Sequence, residues 1–241
     1  MAIPRARIRE DASEEATVSA LAQNYLITIF LLKEDTGSVT ISRLADQLAR
    51  SPVTEHLGSS LPSVAGMVRR MKRDGLLDIK PNKEIVFTDR GRRHAEAVMR
   101  RHMLAEVLLV NILGLELHEV HAEAHRLEHA ISPKVEERMA TWLGNPLTCP
   151  FGHPIPGSGY RVPKTLVPLE KIRPGVWAIV ERIPEDDSRL VKYLVDSGIV
   201  RGNRLKIIDI APYKGTITLE VLGKEVVVGL QVAPRILVKP D

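Results

Sequence analysis

The chain of 241 residues has one cysteine, Cys149. An internal disulfide framework is thereby excluded, and a lone thiol fits a reducing compartment. Aromatic residues are only 4% of the chain, so its core has to be mainly aliphatic. No run approaches the ~18 uninterrupted apolar residues that a membrane-spanning helix needs. Residues 1–16 carry charges and no apolar stretch of the export type. These absences predict a cytoplasmic chain with no membrane partner. Wholesale disorder is excluded as well, because 44% hydrophobic residues are enough to bury a core.

The net charge of +4 is mild, but it is unevenly spread. Between Arg69 and Arg101 stand eleven Lys/Arg against five acids. From His102 to Arg138 the sign reverses, with seven glutamates against three cations and five of the eight histidines. A basic block followed by an acidic, His-rich block points to anion binding and then cation binding. The plain alternative is a solvated helix surface.

The pattern divides the chain into five parts. Residues 1–13 read as a flexible tail and 14–94 as a winged helix-turn-helix domain. Residues 95–146 read as a helical domain, 147–163 as a Pro/Gly linker and 164–241 as a small, SH3-like β-barrel. The chain is thus expected to be mainly α with one β domain. Ser13 is the expected cap of the first helix, Thr40 or Ser42 opens a second, and Pro62 begins a third that Gly75 stops. Two short strands, 76–79 and 84–87, then flank the basic tip Lys80-Pro-Asn-Lys83. A long helix follows from Thr88 or Asp89 to about Ile112, another spans 117–131, and a third starts after Ser132. Beyond Thr165, β-branched runs at 176–183, 204–210, 216–221, 225–230 and 235–238 are interrupted by one helix at 188–196.

Two constellations carry chemistry. The helix opening at Pro62 offers small residues near its start, Ser63, Ala65 and Gly66, which suit close approach to base edges. Arg69, Arg70 and Lys72, with Lys80 and Lys83 on the hairpin, suit phosphate neutralisation. The segment Ser51-Pro-Val-Thr-Glu55 is the competing start of a recognition helix, but only the Pro62 start runs unbroken into Arg69–Gly75. The second constellation is His121, His125, Glu128 and His129, which span an arc of about 100° on a helix at 3.6 residues per turn. His102 and Glu106 form an i,i+4 pair on the preceding helix and can meet His121 if the two helices are antiparallel. Imidazole and carboxylate bind first-row divalent metals, and a thiolate such as that of Cys149 adds affinity.

Other readings compete for these residues. His125-Arg-Leu-Glu-His129 is an H-x-x-E-H string, in which two histidines hold zinc and the glutamate acts as general base in inverted zinc peptidases. His121 crowds that string, and no sizeable catalytic domain accompanies it. Cys149 as a nucleophile lacks a convincing His and acid partner. A metal-loaded interaction module without DNA binding is the third possibility.

Three strings together resemble the diphtheria toxin repressor / manganese transport regulator family: MRRHMLAE at 99–106, VHAEAHRLEHAIS at 120–132 and PFGHPIP at 150–156. The resemblance covers about residues 18 to 240. It implies a homodimeric, metal-activated transcriptional repressor that binds double-stranded operator DNA and controls metal-uptake genes, with a third, FeoA-like domain of SH3 type. It assigns His102, Glu106 and His121 to one metal site, completed from the third domain by Glu185 or, next, Glu181. It assigns Glu128 and His129 to a second site, with His125 where relatives carry Cys or Glu, and it matches Cys149 to a thiol of some manganese-type members. Asn24 stands where the first helix of the family supplies Met or Asp, and Asn is a neutral, weaker donor; Glu14 or Glu15 is the substitute. The turn between Leu48 and Pro62 is several residues longer than in the family. Mn(II) or Fe(II) is the expected metal, with Zn(II), Co(II) or Ni(II) able to bind in vitro.

Overall fold

The computed structural model of the chain describes residues 18–50 and 58–241. The first three helices are α1 (Ala20–Thr36), α2 (Ile41–Arg50) and α3 (Leu61–Arg73). The cap of α1 is Ser19, whose hydroxyl accepts from the Ala22 N–H. The expected cap, Ser13, and the substitute donors Glu14 and Glu15 lie outside the described residues. So does the competing recognition segment 51–55. α3 starts one residue before Pro62, because Ser60 caps it by accepting from the Ser63 N–H. Its inward face is Val64, Val68 and Met71, which meet Leu44 and Leu48 of α2 and Leu26 and Ile29 of α1 in one aliphatic core.

The wing is an antiparallel pair, β1 (Leu77–Ile79) and β2 (Ile85–Phe87). Its tip closes with the Lys83 N–H donating to Lys80 O at 2.9 Å. Thr88 then caps α4 (Asp89–Asn111), accepting from the Gly91 N–H. A Cβ at Gly91 would lie 1.7 Å from the Leu76 carbonyl oxygen. Only glycine lets α4 pass this close to the wing. Two further helices follow, α5 (Leu117–Leu127) and α6 (Pro133–Trp142). α5 ends earlier than the 117–131 expected, since after the Glu128 N–H bonds Ala124 O the chain tightens into a turn, with Ala130 N–H on Leu127 O.

Beyond Val167, six strands form one antiparallel sheet in the order β3-β8-β4-β5-β6-β7. They are β3 (Val167–Pro168), β4 (Trp177–Arg182), β5 (Arg204–Ala211), β6 (Thr216–Val221), β7 (Lys224–Gly229) and β8 (Leu237–Pro240). Helix α7 (Ser188–Asp196) follows β4 and is capped by Asp187. Residues 147–163, read as a linker, place Cys149, Phe151, His153 and Ile155 below 4% exposure. Through them the aliphatic core of α4 to α6 runs without a break into that of the sheet.

Candidate metal centre and nucleic-acid interface

α4 and α5 pack side by side and bring three donors to one spot. His102 Nε2 lies 3.1 Å from Glu106 Oε1 and 3.1 Å from His121 Nδ1. The third edge, Glu106 Oε1 to His121 Nδ1, is 3.5 Å. Glu185, on the loop between β4 and α7, reaches across with Oε1 3.8 Å from His121 Nδ1. One ligand atom from each of these four buried residues falls within 4.8 Å of all the others.

A second cluster adjoins the first. Glu128 Oε2 takes His102 Nδ1 at 2.7 Å, while its Oε1 lies 3.2 Å from His125 Nδ1 and 3.3 Å from His129 Nε2. His129 in turn meets α1, with Nε2 2.8 Å from Asn24 Oδ1 and Nδ1 2.9 Å from Gln23 Oε1. The rings of His102, His121 and His125 stand 4.6–4.9 Å apart. The turn that ends α5 turns Glu128 inward, fully buried, and leaves His129 toward α1.

Burial and charge oppose each other throughout this region. Desolvation works against charge on His102, yet Glu106 and Glu128 flank it and hold its pKa well above the usual imidazole value. Glu106 is held well below the usual carboxylate range, because His102 and His121 outweigh its burial. Burial also opposes ionisation of Glu128, but His102 and His125 bring it down to about 2. His125 is lowered to about 4, chiefly by its own burial. Glu106 Oε2 is buried and has no hydrogen-bond partner, an omission that costs about 1–3 kcal/mol.

Cys149 is buried, with Sγ 4.0 Å from Glu185 Oε2. Its pKa is pushed well up by burial and then by Glu106 and Glu185, so it sits there as a thiol. Glu181 is a correction. β4 alternates its faces, Ala178, Val180 and Arg182 pointing inward, so Glu181 points away from the cluster and stands 3.9 Å from Arg201. One buried imidazole was missed altogether, His153, whose Nε2 is 3.7 Å from Glu185 Oε2. Its signal is the histidine inside PFGHPIP at 150–156, a string quoted only for the family resemblance and not for a donor. Its pKa is lowered to about 3, by burial first and then by Arg182. The glutamate of the H-x-x-E-H string has no open face for a general base, since Glu128 is fully buried against histidines.

The basic face is built on α3 and the wing. On α3, Pro62, Ser63, Arg69, Arg70 and Lys72 are exposed, and Ala65 and Gly66 are half-buried. A Cβ added at Gly66 would meet nothing within 4 Å, which leaves the helix open to close approach. Lys80 and Lys83 are exposed at the wing tip. Several of these cations have local acids, Arg70 with Asp74 at 3.8 Å, Lys72 with Asp78 at 2.6 Å and Lys80 with Glu84 at 2.9 Å. Such exposed pairs contribute little to stability. Replacing Arg69 and Arg70 by Ala is expected to flatten the salt dependence of DNA binding by about 2 units of log K per log salt for each subunit. Titrations at several salt concentrations read this directly, and an unaltered slope moves the DNA surface elsewhere.

Comparison with known proteins follows the same division of the chain. Residues 17–85 match the model of the iron dependent repressor N-terminal DNA binding domain. Residues 88–157 match the iron dependent repressor metal binding and dimerisation domain, and 167–240 match the FeoA domain. The chain is 39% identical over 196 residues to the iron-dependent repressor IdeR of Mycobacterium leprae, covering 76% of this chain and 81% of that protein. It is 36% identical over 213 residues to the diphtheria toxin repressor of Corynebacterium diphtheriae, covering 84% and 89%. Among solved structures, a manganese-dependent transcriptional repressor in complex with manganese superposes with a TM-score of 0.79 at 33% identity, over 91% of this chain and all (100%) of that one. Three matched domains in this order, on a winged helix joined to a buried His/Glu cluster, show that the chain belongs to the iron-dependent repressor family, the diphtheria toxin repressor-like, metal-dependent transcriptional repressors.

Proposed function

We propose that the chain is a cytoplasmic repressor that acts as a homodimer on operator DNA when loaded with Mn(II) or Fe(II), and that it controls metal-uptake genes. The observation that carries this reading is the burial of His102, Glu106, His121 and Glu185 with their ligand atoms within 4.8 Å of one another. Two imidazoles and two carboxylates suit a borderline divalent ion. The fit is supported by Glu106 Oε2, which is buried with no protein partner, because buried carboxylates are costly unless a cation offsets them. His102, Glu106, His121 and Glu185 would hold one ion. Asn24, His125, Glu128 and His129 would hold another. A bound divalent cation supplies positive charge that links side chains from separate parts of the fold.

The protein groups then connect these sites to DNA. Asn24 is on α1, so the second cluster ties the DNA-binding domain to the turn after α5. Glu185 is followed by Asp186, which accepts from Gln47 Nε2 of α2 at 2.5 Å and pairs with Arg235. One loop of the third domain thus touches both the first cluster and the helix that precedes α3. An ion favours DNA binding only to the extent that it binds this arrangement better than others.

Dimerisation through the helical domain is supported by its exposed apolar residues. Ile112, Leu113, Val135, Trp142 and Leu147 are 47–65% exposed, and covering them with a second copy would remove apolar surface from water. No helix among the described residues is long and apolar enough to cross a membrane.

Replacing Glu128 and His129 together by Ala tests the reading. Metal-stimulated DNA binding is expected to vanish while sedimentation still shows a folded dimer. Undiminished stimulation contradicts the assignment of these residues.

A further inference from the structure

We propose that Gln23 is a positioning residue for the second cluster, its side-chain carbonyl fixing the His129 ring with Nδ1 as the donor and Nε2 free for an ion. The inference rests on the reading of that cluster as a metal site. An imidazole binds a metal through one nitrogen, and the hydrogen bond made by the other decides which. The two nitrogens of His129 have different company. Nδ1 lies 2.9 Å from Gln23 Oε1. Nε2 lies 2.8 Å from Asn24 Oδ1 and 3.3 Å from Glu128 Oε1.

The backbone sets which way the Gln23 amide points. Its Nε2 donates to Val18 O at 2.9 Å, and the reverse orientation would set oxygen against oxygen there. Oε1 therefore faces His129, and a carbonyl oxygen can only accept. The ring proton then stands on Nδ1, which leaves the Nε2 lone pair for a cation. Asn24 Oδ1 and Glu128 Oε1 stand beside that atom, so one nitrogen and two oxygen donors meet at one spot. Such a mixed set suits a first-row divalent ion.

Packing alone does not hold the ring, because the His129 side chain is 25% exposed. Its angle is set by the hydrogen bond to Gln23 and by its neighbours in the cluster. Gln23 and Asn24 lie in the first turns of α1, and α1 shares an aliphatic core with α3 through Leu26 and Ile29. His129 follows the end of α5. Gln23 thus fastens the helix that supports α3 to the turn after α5, one residue away from the proposed ligand Asn24.

The test uses the full chain, stripped of metal, with Co(II) and Mn(II) as probes. Gln23→Leu removes the acceptor and keeps the bulk, and it is expected to lower affinity at one site by about tenfold or more. Gln23→Glu keeps an oxygen toward Nδ1 and is expected to stay within a few-fold of the unaltered chain. No loss in Gln23→Leu, or an equal loss in both variants, overturns the proposal, the second because it shows a role in packing only. A readout that needs no variant is NMR of the unaltered chain, labelled with nitrogen-15 and loaded with Zn(II). There His129 is expected to bind the ion through Nε2 and to keep its proton on Nδ1. Binding through Nδ1 overturns the role of Gln23 and leaves the metal reading intact. An unaltered chain that takes up neither Co(II) nor Mn(II) overturns the metal reading and this inference with it.

Discussion

Glu106→Gln is expected to weaken metal binding at the buried centre by about 100-fold or more, beyond the effect of losing a supporting partner. Glu106 is fully buried, stands at hydrogen-bond distance from His102 and faces His121. Gln keeps the shape and removes the negative charge, so the loss is electrostatic and not one of packing. The consequence reaches stability. At a metal concentration 100 times the dissociation constant, binding stabilises the folded state by about 2.7 kcal/mol. A 100-fold weaker site at the same concentration leaves about 0.4 kcal/mol. Thermal unfolding with and without Mn(II) reads the difference, and the remaining site makes the observed loss partial. A metal-induced rise in Tm equal to that of the unaltered chain contradicts the role given to Glu106.

Asp186→Ala is expected to separate metal binding from DNA binding. Asp186 is not among the clustered candidate ligands, and its carboxylate joins Gln47 of α2 and Arg235 beside the sheet. Burial opposes its ionisation, yet Arg235 and Gln47 lower its pKa. The link is therefore a charge-assisted one, of the stronger kind. Its removal is expected to leave metal affinity within a few-fold and to cut the metal-driven gain in DNA affinity by about 5–150-fold, the usual span of coupling between two sites. Calorimetry gives the first quantity and fluorescence anisotropy the second. An undiminished gain shows that Asn24 and the second cluster carry the coupling alone.

The sequence was most readable where the chemistry is local. His102 and Glu106 are one helical turn apart, and their spacing alone placed them on one face of α4. The winged helix was legible because Ser60, Pro62, Gly75 and the basic hairpin are local start, stop and turn signals. What escaped is set by distant contacts. His153 sits in a turn, and only the docking of Gly152 on β4 aims it at Glu185. Glu181 and Glu185 are alike in sequence, but the alternation of β4 points the first outward, while the loop beyond it turns the second in. The end of α5 at Leu127 also escaped, because periodicity continues through residues that the tertiary structure draws into a turn around Glu128. β3 has two residues and carries no periodicity at all.

The most direct test of the account is fluorescence anisotropy with metal-stripped full-length protein and labelled promoter fragments, at one fixed salt concentration. Mn(II) or Fe(II) is added, the latter without oxygen. The expected result is fragment-specific binding that tightens by about 5–150-fold when either ion is present, a coupling of about 1–3 kcal/mol. Equal affinity with and without metal, on every fragment, contradicts it.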